Sequence, residues 1–310
     1  MKKNLTIIGP TASGKTSLSV VLAKKLEGEI IGLDSRQVYD GMSIGTAQPT
    51  KEDMDGIPHH LFGFRDPSEP ISAGEYAKLV RTKIKDIQAN GKTPIICGGA
   101  GLYYRALTKG IFEGSVSDLP TRGRLEQAYE DDPAALLERL RSVDPEYAGI
   151  VHINNKKRLV RALEIYEATG KPPSEHFHHQ EDHPSKTLDL FTLLLTWNRE
   201  TLNKRIEHRT DEMLEKGWVE EVKTLLEKQT QAGKVYPALD SIGYRQIQAY
   251  LNGELTQDEM REEIIIRTRQ FARRQTQWFK KETIDLIIEM DNMDREKLPE
   301  ILHCIFMTLP

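Results

Sequence analysis

The sequence contains few cysteines and no long apolar run. The 310 residues include two cysteines, Cys97 and Cys304, which lie in different regions and lack the spacing of metal ligands. Two such thiols do not make a disulfide scaffold, and they indicate a reducing, cytoplasmic location. No stretch reaches about 18 consecutive apolar residues, so no membrane span is expected. The apolar run that follows the two N-terminal lysines is too short for a signal peptide.

The sequence also lacks internal repeats, low-complexity segments and a strong charge of either sign. A net charge of −4 argues weakly against a nucleic-acid partner. Local basic patches matter more than this sum, because they make the phosphate contacts. The chain is long enough for one large domain or for a core with a second, smaller domain.

A phosphate-binding loop stands near the start of the chain. Leu5 to Ile8 predicts a buried strand, Ser17 to Leu26 predicts a helix, and the sequence GPTASGKT lies between them. This order of strand, glycine-rich loop and helix is the context that identifies a P-loop. The residues predicted to bind a diphosphate are Gly9, Pro10, Thr11, Ala12, Ser13, Gly14, Lys15 and Thr16.

Each part of this loop has a physical task. Backbone N–H groups and the helix N-terminus attract an anion, and Gly9 and Gly14 let the backbone approach it closely. Lys15 supplies a movable positive charge, and the Thr16 hydroxyl is a ligand for Mg²⁺. The pattern fits ATP or GTP, and it equally fits any other substrate with a diphosphate.

Asp34 directly follows a second predicted strand, in the sequence DSRQVY. Ligands of doubly wound sheets bind at the carboxyl ends of the strands, which brings Asp34 near the P-loop. Three roles remain open for this residue: holding Mg²⁺ through water, acting as a general base, or capping a helix N-terminus.

The remaining pattern predicts an α/β fold. Strands are expected at residues 94–97, 188–197 and 283–290, and a helix from Ser72 to Gly91. They imply a P-loop NTPase-like core whose parallel sheet is flanked by helices. Residues 114–187 are charged and punctuated by prolines, which predicts an inserted all-helical domain between core segments 1–113 and 188–310.

Basic residues cluster on three predicted helices. Lys157, Arg158 and Arg161 lie on consecutive turns of one helix, which is also typical of a solvated face. Between Arg267 and Lys281 six basic residues alternate with aromatic ones, a pattern that suits a polyanion backbone. Arg205 and Arg209 share a helix face, where a guanidinium group matches phosphate oxygens.

Taken together, these motifs resemble the tRNA dimethylallyltransferase family, also called the tRNA isopentenyltransferase family. The resemblance rests on GPTASGKT, DSRQVY, GGAGLYYRAL, KRLVRALEIY, SIGYRQ and TRQFARRQ, in this order over nearly the whole chain. The P-loop alone is unspecific, whereas its combination with DSRQVY and the RQFARRQ helix is specific. The chain lacks the zinc-finger tail of eukaryotic members and therefore resembles the bacterial form.

The resemblance implies a reaction. Dimethylallyl diphosphate donates its five-carbon group to N6 of adenosine 37, beside the anticodon of tRNAs that read codons beginning with U, and diphosphate leaves. Asp34, Lys15, Thr16 and Arg209 would be catalytic, and Mg²⁺ would bind at Thr16. The implied tRNA-binding residues are Asp34, Ser35, Arg36, Gln37, Ala100, Arg122, Lys157, Arg158, Leu159, Val160 and Arg161.

One residue departs from the family pattern. Ala100 stands where the family usually has a threonine whose hydroxyl lies near the reacting groups, so this hydroxyl is absent. The expected partners are the tRNA anticodon stem-loop and dimethylallyl diphosphate, and the expected assembly is a monomer. Three other functions remain: a small-molecule kinase, an adenylate dimethylallyltransferase, and a non-catalytic RNA-binding protein switched by nucleotide.

Overall fold

A parallel β-sheet forms the centre of the protein in the computed structural model, which describes residues 3–110, 118–182 and 187–309. Within these residues the sheet has six strands in the order β3-β2-β4-β1-β5-β6, and every neighbouring pair is parallel. The strands are β1 (Asn4–Ile8), β2 (Gly28–Leu33), β3 (His59–His60), β4 (Thr93–Gly98), β5 (Leu190–Thr196) and β6 (Leu286–Glu289).

The described residues also form helices. They are α1 (Lys15–Lys25), α2 (Lys51–Met54), α3 (Ala73–Ala89), α4 (Gly101–Thr108), α5 (Leu119–Asp131), α6 (Pro133–Val143), α7 (Pro145–Ile150), α8 (Lys156–Thr169), α9 (Pro173–Asp182), α10 (Arg199–Glu215), α11 (Trp218–Ala232), α12 (Tyr244–Leu251), α13 (Gln257–Phe279) and α14 (Leu298–Met307). A short 3₁₀ helix spans Pro237–Leu239. The α/β fold class predicted from the sequence is confirmed.

The sheet is buried because its strands are almost continuously apolar. All five residues of β1 are buried, as parallel strands with helices on both faces require. On one face, strand residues such as Ile7 and Leu193 share a core cluster with Leu22 of α1 and Phe306 of α14. This packing holds the strand ends in fixed positions.

The chain divides into two compact units. One comprises Met1–Tyr104 with Leu188–Pro310, and the other comprises Arg105–Thr187. The predicted boundary between residues 113 and 114 lies outside the described residues. The second unit contains α5 to α9, whose buried residues, among them Leu140, Leu159 and Leu163, form their own core cluster.

The prolines that predicted turns in this helical unit lie in the first turns of helices. Pro133 and Pro145 each begin a helix, and Asp132 and Asp144 cap those helices by accepting backbone N–H bonds. Proline suits this position because its missing N–H group has no helical partner there. No helix in the described part of the chain is long and apolar enough to cross a membrane.

Candidate active site at the carboxyl edge of the sheet

Four neighbouring strands end at one edge of the sheet, and a candidate functional residue follows each of them. The P-loop follows β1, Asp34 follows β2, Gly99 follows β4, and Trp197 follows β5. Because β4 and β5 lie on opposite sides of β1, these ends surround the P-loop. Ligands of open α/β sheets bind at such a place.

Two glycines allow the P-loop its path. Gly9 has a φ of 157°, and a Cβ there would lie 2.7 Å from the backbone oxygen of Leu195. Gly14 has a φ of 90° and stands at the N-cap of α1. Glycine tolerates both the positive φ and the close backbone contact because it has no Cβ.

Two side chains brace the P-loop through its carbonyl groups. The Trp197 indole donates to the Ser13 oxygen at 3.0 Å, and Arg205 Nε donates to the Ala12 oxygen at 2.8 Å. The Arg205 and Arg295 guanidinium groups lie 4.6 and 4.9 Å from the centre of the Trp197 ring. The backbone N–H groups of Ala12 and Gly14 have no protein partner among the described residues, which leaves them for an anion.

Lys15, Arg209 and Asp34 form one electrostatic group. Burial lowers the pKa of Lys15 to about 8, with Cys97 and Asp34 opposing this shift and Arg209 adding to it. Burial also lowers the pKa of Arg209, again opposed by the Asp34 charge. Lys15 Nζ meanwhile donates to the Pro10 oxygen at 2.7 Å, and Arg209 Nη1 donates to Thr11 Oγ1 at 3.2 Å. The cations thus lie against the loop that would receive a diphosphate.

Asp34 is held by one carboxylate oxygen only. Its Oδ1 accepts the backbone N–H groups of Arg36 at 2.8 Å and Gln37 at 3.4 Å. Among the described residues Oδ2 has no hydrogen-bond partner, so it faces its surroundings as a free acceptor. No helix begins at residue 35, which removes the helix-capping role considered from the sequence.

Gln37 is oriented by the loop at residues 43–47. Its Nε2 donates to the backbone oxygens of Thr46 at 3.1 Å and Ala47 at 2.7 Å. Both hydrogens of the Gln37 amide are therefore used, and only its Oε1 remains to accept a hydrogen bond from a nucleobase. Ser35 and Arg36, its neighbours in the same turn, are partly exposed beside Asp34.

The carboxylate of Glu221 on α11 holds the same loop. It accepts the N–H groups of Ile44 at 2.6 Å and Gly45 at 3.0 Å, and the Tyr244 hydroxyl at 2.7 Å. Ser43 Oγ adds a bond of 3.3 Å. Burial, followed by the Glu221 charge, raises the pKa of Tyr244, so this phenol stays a donor.

A cavity of about 300 Å³ lies beside the P-loop. Its polar wall includes Thr11, Asp34 and Arg209. Its apolar wall includes Ile206, Met213, Trp218, Ile264 and Phe271. A cavity lined by both charged and apolar side chains suits a substrate that joins a diphosphate to a hydrocarbon.

Ala100 lies at the end of β4 without a side-chain hydroxyl. Its N–H donates to the Leu33 oxygen at 3.1 Å, and its oxygen accepts the Tyr104 N–H at 2.9 Å. Tyr103 and Tyr104 are both buried, and Tyr103 stacks on Tyr76 with 4.3 Å between ring centres. Both tyrosines therefore belong to the core.

The predicted RNA-contacting residues of the helical unit differ in exposure. Leu159 and Val160 are buried in its core, and Lys157 and Arg158 are exposed. Glu164 is fully buried, accepts a hydrogen bond from Arg122 at 2.9 Å and forms an ion pair with Arg161 at 2.7 Å. This buried carboxylate fixes the two arginines at the surface of the unit.

Three residues of this site escaped prediction: Trp197, Glu221 and Gln275. Gln275 on α13 is buried, and it bonds the P-loop residue Thr11 at 2.8 Å. Each of the three is a polar group whose partner lies far away along the chain. The position of Trp197 at a strand end was the one available signal.

Residues 37–282 match the family model described as IPP transferase, a range that begins after the P-loop and Asp34. A tRNA dimethylallyltransferase of Anoxybacillus flavithermus is 41% identical over 307 residues, covering 98% of this chain and 96% of that protein. Another, of Geobacillus thermodenitrificans, is 42% identical over 288 residues, covering 91% of this chain and 88% of that protein.

Solved structures agree with these relatives. A full-length tRNA isopentenylpyrophosphate transferase of Bacillus halodurans is 36% identical with a TM-score of 0.71, covering 99% of this chain and 96% of that one. A eukaryotic dimethylallyltransferase acting on tRNA is 31% identical with a TM-score of 0.82, covering 98% of this chain and 78% of that one. The chain therefore belongs to the IPP transferase family.

Proposed function

We propose that this protein transfers the dimethylallyl group from dimethylallyl diphosphate to N6 of adenosine 37 in tRNAs that read codons beginning with U. The observation that carries this proposal is the cavity beside the P-loop. The cavity combines the P-loop with the nearby cations Lys15 and Arg209, the Asp34 oxygen that has no hydrogen-bond partner among the described residues, and apolar side chains. The relatives named as tRNA dimethylallyltransferases support the same reaction.

The chemistry needs one bond to break and one to form. The bond between the donor's C1 and the diphosphate oxygen breaks, a bond from C1 to N6 forms, and an N6 proton passes to Asp34 Oδ2. Negative charge develops on the leaving diphosphate. Lys15, Arg209 and the loop N–H groups stabilise that charge because they are already aimed at the cradle.

Mg²⁺ belongs to this proposal. The Thr16 hydroxyl in the first turn of α1 would hold it, and substrate phosphate oxygens would complete its ligands. Among the described residues, no group of three or more His, Cys, Asp or Glu could hold a metal ion. When bound, the ion neutralises charge on the departing diphosphate.

An RNA acceptor is supported by the surface of α13 and the segment after it. Five basic residues there are exposed and have no ion pair among the described residues: Arg267, Arg273, Arg274, Lys280 and Lys281. Arg269 instead pairs with Glu207 at 3.0 Å. Exposed cations of this density suit a phosphate backbone. A cytoplasmic location belongs to the same proposal, and the two unpaired cysteines support it.

The test is a transfer assay with labelled dimethylallyl diphosphate, Mg²⁺ and an anticodon stem-loop that contains adenosine 37. Parallel reactions offer AMP and ATP as acceptors. We expect label on the stem-loop alone. Label on a free nucleotide would instead indicate an adenylate dimethylallyltransferase, and ATP hydrolysis without any labelled product would indicate a kinase-like enzyme.

A further inference from the structure

The buried amide of Gln275 ties two strand ends together. Gln275 is 6% exposed. Its Oε1 accepts the backbone N–H of Thr11 in the P-loop at 2.8 Å, and its Nε2 donates to the backbone oxygen of Gly99 at 2.9 Å. One planar group thus bonds the loop after β1 and the turn after β4 at the same time.

The connection continues to the residue before Asp34. The N–H of Gly99 donates to the Leu33 oxygen at 3.1 Å, and the N–H of Ala100 donates to the same oxygen at 3.1 Å. A continuous path of hydrogen bonds therefore runs from Thr11 through Gln275 and Gly99 to Leu33. It joins the anion cradle to the strand end that carries Asp34.

The packing around this path leaves little freedom. A Cβ on Gly99 would lie 2.4 Å from Gln275 Nε2 and 3.1 Å from the Gly9 oxygen. A Cβ on Gly101 would lie 2.5 Å from the Trp278 ring. Helix α13 therefore packs directly on the turn after β4, and this turn cannot shift without moving Gln275.

We propose that Gln275 is a positioning residue that sets the separation between the P-loop and the strand end bearing Asp34. This inference rests on the proposed function. Transfer requires the donor carbon, held through its diphosphate, to meet the acceptor nitrogen, whose proton goes to Asp34. A primary amide offers a donor and an acceptor on one uncharged planar group, and Gln275 uses both of them here.

Gln275→Glu keeps one of the two hydrogen bonds and removes the other, with almost no change in side-chain shape. An ionised carboxylate still accepts the Thr11 N–H but cannot donate to the Gly99 oxygen, whereas a protonated carboxyl would keep both bonds. We expect the single-turnover transfer rate at saturating substrates to fall roughly 10- to 100-fold, since small displacements of reacting groups have effects of this size. The affinity for inorganic diphosphate should fall by less than the rate does, because the P-loop keeps its acceptor while the added carboxylate repels the anion.

Gln257→Glu is the matched control, because it makes the same change at an exposed position in the first turn of the same helix. It should retain the wild-type rate. Gln275→Met serves as the second variant if Gln275→Glu does not fold, as judged by circular dichroism. Methionine is apolar and of similar length, so it makes neither hydrogen bond. This variant should also lower the transfer rate.

The outcomes separate this inference from the proposed function. A wild-type protein that transfers no label contradicts the proposed function itself. An active wild type with Gln275→Glu and Gln275→Met rates both within about twofold overturns the positioning role. A variant that binds diphosphate much more weakly but reacts at the wild-type rate when saturated also overturns it, since Gln275 would then act only on donor binding.

Discussion

Two cations, Lys15 and Arg209, interact with one carboxylate, Asp34, at the P-loop. The two cations are partly withdrawn from solvent, and burial lowers the pKa of each. The Asp34 carboxylate raises both values again. An arriving diphosphate would stabilise both cations further, so anion binding and lysine protonation are linked.

This linkage predicts a pH dependence of donor binding. The pKa of Lys15 is lowered to about 8, so Lys15 is charged below that pH and loses its proton as the pH rises through it. We expect wild-type protein to bind diphosphate roughly 10- to 100-fold more tightly than Lys15→Met at about pH 7, because a hydrogen bond to a charged group is lost. This advantage should shrink as the pH rises past about 8.

Calorimetric titration of both proteins with inorganic diphosphate between about pH 6 and pH 9.5 measures the ratio of their dissociation constants. The ratio is informative because protonation of diphosphate itself affects both proteins equally. A ratio that stays constant over this range would contradict a lowered lysine pKa.

Asp34→Asn tests whether Asp34 acts as the general base that accepts the N6 proton. The amide oxygen can still accept the Arg36 N–H, so the turn should persist, but the side chain no longer takes up a proton. We expect the transfer rate to fall roughly 100-fold or more, as is usual for loss of general base catalysis. Diphosphate affinity should be unchanged or slightly tighter, because a nearby negative charge is removed.

Asp40→Asn is the control for this variant, since Asp40 is exposed in the segment that follows the same turn. It should behave as wild type in single-turnover assays. An Asp34→Asn protein that keeps its rate within about threefold would assign proton removal to another group.

Single residues could be predicted where a local motif specifies them. The P-loop and Asp34 are read from contiguous sequence beside strands. Gln275 could not be read in this way, because its partner Gly99 is 176 positions away. The tRNA-binding role implied for Gln37 has a similar gap: only folding shows that its Nε2 already bonds two backbone oxygens.

At the scale of elements, the loop at residues 43–47 depends on helix α11. The Glu221 carboxylate gathers two backbone N–H groups and two hydroxyls of this region, and the loop in turn orients Gln37. Gly45 fits closely against Trp218, whose Nε1 would lie 1.9 Å from a Cβ at that position. The conformation of the loop thus depends on the Glu221 side chain and on the absence of a side chain at Gly45.

Glu221→Ala should lower the free energy of unfolding by about 1–3 kcal/mol, because partly buried donors lose their acceptor. Urea unfolding followed by circular dichroism measures this change. Glu227→Ala is the control on the same helix, where the side chain is exposed, and its effect should stay within about 0.5 kcal/mol. Equal stability of the two variants would mean that Glu221 does not support the loop.

The regular elements were largely predictable from apolar runs and capping residues. The strand expected at residues 188–197 is found at Leu190–Thr196, and Ser72 caps α3 as expected. The expected strand at 283–290 is shorter, at Leu286–Glu289. The strand His59–His60 was missed because two residues carry no periodic signal, and its pairing with β2 exists only in the folded sheet.

At the scale of the whole molecule, the two units have different chemical surfaces. The unit with the sheet carries the anion cradle and the cavity. The helical unit has its own core and exposes Lys157 and Arg158 at the start of α8. If these cations contact phosphate groups of the RNA, then donor binding and RNA binding should respond to different substitutions.

The double variant Lys157→Gln, Arg158→Gln tests this separation. Each lost phosphate contact reduces the salt dependence of log K by about 0.9, so the slope should fall by about 2, and affinity for the stem-loop should fall roughly 10-fold. Diphosphate affinity should not change. Filter binding at several salt concentrations measures the slope. Arg141→Gln with Lys171→Gln is the control, because it removes the same charge from two other exposed positions of the same unit. An unchanged salt slope in the test variant would mean that Lys157 and Arg158 do not contact RNA phosphates, and an equal loss in the control would mean that net charge, and not the start of α8, governs RNA binding.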